Sequence, residues 1–176
     1  MMTLTNRRQG RATLSSKLGV SLASVLITAL AYAQETTVEQ LRARIEGIYI
    51  LEEWHRHGEV SRPPLVDART VLLNGRTMFI ARESGTNAAG YGVYTLEAGK
   101  FAYRYEAFTV VTQTTSGASV SEALPWEGLR TFVVSIEHNE VRFSATKGPQ
   151  EFRFSENGLT YSDGIDKRVH RRASAK

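Results

Sequence analysis

From Gly47 to the end of the chain, β-branched and aromatic residues alternate with polar ones, and turn residues break the pattern about every ten positions. No stretch in that span has the length or period of a helix that crosses between parallel strands. Such a chain makes antiparallel strands joined by short turns, and a meander closing on itself is the simplest way to leave no open edge. The spacing predicts strands near 47–55, 67–73, 76–83, 90–97, 100–114, 129–137, 140–146, 150–155, 159–162 and 166–172. Asn74-Gly75, Ala98-Gly99, His138-Asn139, Asn157-Gly158 and Asp163-Gly164 supply the turns. Ser116-Gly117-Ala118-Ser119 reads as a flexible loop. Ahead of the strands, Thr37 and Gln40 have the spacing of a capping box, and Val38, Leu41 and Ile45 follow at helical spacing. A short helix over about 37–45 is expected.

Residues 1–33 have the grammar of a secretory signal peptide. Arg7, Arg8, Arg11 and Lys17 precede an apolar run from Leu18 to Ala31, and Ala31-Tyr32-Ala33 has the small-x-small form of a cleavage site. The run is short for a membrane span, which needs roughly 20 residues. The expectation is therefore an exported chain, periplasmic or secreted, with a single domain over 34–176 and no stable membrane span after cleavage. The Arg7-Arg8 pair leaves a twin-arginine route open, although no Phe-Leu-Lys tail follows it.

Removing that segment changes the charge. Four of the 22 basic residues lie in it and none of the 18 acidic ones, so the remainder is neutral. A nucleic-acid-binding domain needs a basic face, and the neutral remainder argues against that class of partner. The residual asymmetry is a basic C-terminal stretch holding Lys167, Arg168, Arg171, Arg172 and Lys176. With no cysteine, disulfides, thiolate metal sites and cysteine nucleophiles are excluded.

Gly47-Ile48-Tyr49-Ile50-Leu51-Glu52-Glu53-Trp54 directly follows the helix. It resembles the opening of lipocalins and related bacterial calycin-type barrels, where a short helix leads into Gly-x-Trp-x-Leu-x-x-Trp on the first strand. Tyr49 stands in place of the first Trp, while Leu51 and Trp54 fit the spacing. The resemblance implies an all-β fold, an antiparallel up-and-down barrel of 8–10 strands behind a short N-terminal helix, with a cup-shaped cavity. It also implies a basic residue of the last strand, Arg168 or Arg171, lying over Tyr49.

An aromatic-lined cavity of this kind suits a small hydrophobic or aromatic molecule. The candidate ligand-binding residues are Tyr49, Tyr91, Tyr94, Phe101, Tyr103, Tyr105, Trp126 and Arg82. Phe101, Tyr103 and Tyr105 share one strand face, and Gly90 and Gly92 on the preceding strand are expected to leave space inside. Trp126, between Pro125 and Gly128, is placed to cap the cavity or plug its closed end.

Strict alternation sets Tyr49, Leu51, Glu53, His55 and His57 on one face. If Tyr49 points inward, Glu53 and His55 do too, unless a bulge flips the register and turns Trp54 inward instead. Inward, His55 and Glu53 would be a candidate acid–base pair, and His55, His57 and Glu53 a weak candidate metal set. Binding a small apolar ligand is the leading reading. A cofactor-independent isomerase, cyclase or lyase in the same cavity is the alternative, and a packed structural barrel is the third. No nucleophile elbow, Walker loop or dinucleotide fingerprint is present, and no cofactor is expected.

Overall fold

The computed structural model describes residues 37–125 and 127–174. The candidate signal at 1–33 and Trp126 lie outside the described residues. Among those described, a helix α1 (Val38–Ile45) leads into β1 (Gly47–Arg56), β2 (Glu59–Ser61), β3 (Val66–Leu73), β4 (Arg76–Glu83), β5 (Thr86–Glu97) and β6 (Lys100–Thr114). Then follow β7 (Gly117–Ser121), β8 (Arg130–Glu137), β9 (Glu140–Ala145), β10 (Glu151–Phe154), β11 (Gly158–Ser162) and β12 (Asp166–Arg172). β1 pairs with β3 on one side and β12 on the other, so the sheet closes. The ring runs β1-β3-β4-β5-β6-β8-β9-β10-β11-β12 and every neighbour is antiparallel. The fold is therefore an all-β barrel of ten strands behind one short helix, as the turn spacing implies.

Two short strands lie off the ring, β2 against β1 and β7 against β6. β7 occupies the stretch read as a flexible loop. Its residues are all exposed, so no apolar period marks it. The long second half of β6 supplies the template, pairing Val110 with Ser121 through Thr114 with Gly117.

α1 caps the end of the barrel where β1 begins. Thr37 and Gln40 form the reciprocal capping box. Leu41 and Ile45 are buried in one cluster with Tyr49, Leu72, Phe101, Phe132, Phe143 and Phe154. The helix C-terminus is held from the barrel. The Tyr49 hydroxyl donates to the Ile45 carbonyl at 2.7 Å, and Arg172 donates to the carbonyls of Ala43, Arg44 and Glu46. Arg172 is the register partner of Tyr49, so the basic residue of the last strand that meets Tyr49 is Arg172, not Arg168 or Arg171.

Glu46, just past α1, ties the same end together. Its carboxylate accepts from the Tyr94 hydroxyl and from the Asn74 backbone N–H. Burial and this carboxylate push the Tyr94 phenol well above its ordinary range. Tyr94→Phe is expected to lower stability by about 1.5–3 kcal/mol, the range for a bond to a charged group. A urea midpoint shift at unchanged slope is the readout. A change of under about 0.5 kcal/mol would mean that water serves Glu46 equally well.

The decisive local feature is a bulge in β1. Leu51 pairs with His170 and Glu53 with Val169, leaving Glu52 as the extra residue. Tyr49 and Leu51 face inward before the bulge, and Trp54 faces inward after it.

Candidate functional site

The helix end is filled by aromatic side chains, but the other half of the interior is not. A cavity of about 330 Å³ opens there. Its wall is aromatic because alternation on β6 turns Phe101, Tyr103 and Tyr105 inward. A second bulge, between Tyr91 and Gly92 opposite Glu106, resets the register so that Phe108 also faces in. Phe79 of β4 and Phe152 of β10 complete the apolar surface.

The inward glycines do not supply this space. A Cβ on Gly90 would stand 2.7 Å from the Phe108 ring and 3.0 Å from that of Tyr105. A Cβ on Gly92 would stand 2.0 Å from the Arg104 carbonyl oxygen. The glycines let rings and backbone approach, and the approach takes up the room that the sequence pattern assigned to the cavity.

Polar groups enter mainly from β10 to β12. Arg168 and His170 of β12, Tyr161 of β11, Asp163 in the following turn and Gln150 all border the cavity. Gln150 donates to the Tyr161 hydroxyl at 3.3 Å, and Tyr161 lies 3.4 Å from Asp163 Oδ2. Asp163 Oδ1 is already engaged by the backbone N–H groups of Ile165 and Asp166. Burial pushes the phenols of Tyr105 and Tyr161 up to about 12 and raises that of Tyr103 well above its ordinary range, so all three are neutral.

Arg168 lies over the Trp54 ring at 4.2 Å, and the Arg56 guanidinium lies over the same ring at 4.2 Å. Arg56 is paired with Glu83 at 3.0 Å and Asp166 at 3.3 Å, whereas Arg168 reaches Asp166 only at 3.4 Å. Among the described residues the buried Arg168 Nε–H and Trp54 Nε1–H have no hydrogen-bond partner. His170 is 3 % exposed, and neither ring nitrogen makes a bond of good geometry, though the backbone of Leu159 and Arg168 lies close. Burial, and then the charge of Arg168, lower its pKa to about 4, so the ring is neutral at physiological pH.

The sequence candidates divide. Phe101, Tyr103 and Tyr105 border the cavity. Tyr49 and Tyr94 are buried, but in the cluster that fills the helix end. Tyr91 faces outward, 40 % exposed, with Arg76 over its ring. Arg82 faces outward on β4, where it borders a shallow outer groove. The bulge at Glu52 also puts Glu53 and His55 outside. They meet, His55 Nε2 to Glu53 Oε2 at 2.8 Å, but on the outer wall, where Arg62 donates twice more to Glu53. Arg62, then His55, holds the Glu53 carboxyl below its usual range. The inward placement read from strict alternation is thus corrected by the bulge. His57 sits in the exposed turn after β1 at φ 51°, apart from that pair. Among the described residues no group of three or more metal-ligating side chains gathers.

Sequence reasoning missed His170, Tyr161 and Phe152, and it set Arg168 over Tyr49, whereas Arg168 lies over Trp54 at the cavity. The signal for Arg168 and His170 was present. Alternation on β12 sets Arg168, His170 and Arg172 on one face, but the density of positive charge reads as a solvated tail. His55→Ala is accordingly expected to leave probe affinity for the cavity unchanged within about twofold, since a half-exposed outer pair couples weakly to the interior. A larger loss, measured by fluorescence titration, would place the pair in contact with the ligand.

Comparison with protein-family profiles, with curated proteins and with solved structures found no match.

Proposed function

We propose that the protein is a lipocalin-like carrier, exported to the periplasm or secreted, that binds a small hydrophobic or aromatic molecule inside its barrel. One observation carries this reading: a ten-stranded barrel keeps about 330 Å³ open between aromatic walls instead of filling it. Ligand sites span roughly 300–1,000 Å³ and combine apolar walls with a few polar groups. A purely structural barrel would be filled throughout, as the helix end of this one is. Export rests on the signal-like grammar of residues 1–33, and the lipocalin likeness on the helix followed by Gly47-x-Tyr49-x-Leu51-x-x-Trp54. The alternative of an isomerase, cyclase or lyase built on His55 and Glu53 would need that pair inside the cavity, and it stands on the other face of β1.

The test is titration with the neutral dye N-phenyl-naphthylamine, whose fluorescence rises on entering a dry site. Saturable uptake of one dye per chain is expected, with loss on Thr70→Trp, which places an indole where Thr70 borders the cavity. No uptake by a folded wild-type barrel would sink the reading. So would uptake that survives Thr70→Trp in a variant with the wild-type circular dichroism spectrum.

A further inference from the structure

We infer that the cavity is built for an organic acid: a carboxylate seated against Arg168, with an apolar, aromatic-sized body lying among Phe101, Tyr103 and Phe152. This rests on the binding function proposed above and specifies the chemistry of its ligand.

The argument is a count of donors against acceptors. A guanidinium carries five N–H donors. Among the described residues the Arg168 guanidinium makes one hydrogen bond, the long contact to Asp166, and its Nε–H is buried without an acceptor. Asp166 is shared with Arg56, which also holds Glu83, so Arg168 has the weakest claim on the carboxylates of that cluster. The Trp54 Nε1–H beside it is equally unmatched. The phenols of Tyr103, Tyr105 and Tyr161 are all close enough to Arg168 to feel its charge. Asp163, the one carboxylate on the cavity wall among the described residues, is bound to turn amides and to Tyr161. Among the described residues the wall therefore offers the Arg168 cation, with no carboxylate left over to meet it. Buried donors without acceptors cost free energy. A carboxylate matches the guanidinium fork in shape and charge, and a neutral or cationic ligand does not.

Stacking on Trp54, with Phe79 and Tyr161 at 5.5 and 5.3 Å, fixes the Arg168 guanidinium before a ligand arrives. The head group thus meets a preorganised partner, and little side-chain entropy is lost on binding.

The experiment displaces N-phenyl-naphthylamine from the wild-type protein with naphthoate and with naphthamide, which share one ring system and differ in charge. Near neutral pH, naphthoate is expected to bind about ten- to a hundredfold more tightly, the span for a charge-assisted bond over a neutral one. Arg168→Met is expected to abolish that preference, the two ligands then binding that variant equally. Equal binding of the two, or a preference that survives Arg168→Met, overturns the inference and leaves the carrier reading standing. If the dye does not bind the wild type, the carrier reading falls first. Should the Met variant fail to fold, the wild-type comparison still decides, and Arg168→Lys, which keeps the charge but not the fork, should show a reduced preference.

Discussion

Phe143→Ala is expected to cost about 3–5 kcal/mol, the range for truncating a buried aromatic ring. Phe143 is fully buried on β9, with its ring stacked on Phe101 at 4.4 Å and set against Phe154 at 5.0 Å. Those rings come from β6 and β10, whose backbones are fixed by the closed sheet and cannot fold into the gap. Most of the void should therefore persist. A domain of this kind has about 5–15 kcal/mol in all, so one substitution removes a large share. Phe152→Ala is the comparison. Its ring borders the cavity, so one side already lacks partner atoms, and its loss should cost less than that of Phe143. Urea unfolding of both variants provides the measurement. A cost at Phe143 no larger than at Phe152 would mean that the helix end is as loosely filled as the cavity end.

The strand plan was legible because two local rules act everywhere along it. Asn74-Gly75, Ala98-Gly99, His138-Asn139 and Asn157-Gly158 carry side chains or glycines that tolerate positive φ, and φ is positive at Asn74, Gly75, Gly99, His138 and Asn139. Between the turns, alternation marks which residues meet the core. β4, β6 and β12 accordingly fall at 76–83, 100–114 and 166–172. β7 escaped because nothing it does is local: five exposed residues become a strand only through their pairing with β6.

The site was less legible because period-two reading fails wherever a strand carries one extra residue. On β1 the bulge at Glu52 exchanges the inside and outside for everything after it. It moves Glu53 and His55 out and brings in Trp54, which then lies under Arg168. The spacing from Tyr49 to Trp54 is odd, so the two residues share a face only if a bulge lies between them. That was the warning in the sequence. On β12 no bulge intervenes, and the alternation of Arg168, His170 and Arg172 held the answer. Charge obscured it, because arginine on a terminal strand is usually solvated, and only closure of β12 onto β1 and β11 turns that face inward.

Between pH 6.5 and about 4, His170 alone is expected to remove about 3 kcal/mol of stability as the solution is acidified. In the unfolded chain the imidazole takes its proton near 6.5, whereas in the barrel, burial first and the Arg168 charge second delay protonation to about 4. Throughout that window the unfolded state binds more protons, so stability rises with pH and levels off once both states are neutral. The sign is opposite to that of a histidine that gains an acidic partner on folding. Glu53 and Glu151 also favour the folded state less in acid, because arginine contacts lower both carboxyls. The absolute curve therefore mixes several groups. His170→Leu keeps an apolar side chain of similar bulk at the site and removes only the titration. The difference between wild type and this variant, from urea unfolding at a series of pH values, should grow in the variant's favour from pH 6.5 down to about 4. A flat difference would mean that His170 is hydrated or finds a proton acceptor when the chain folds.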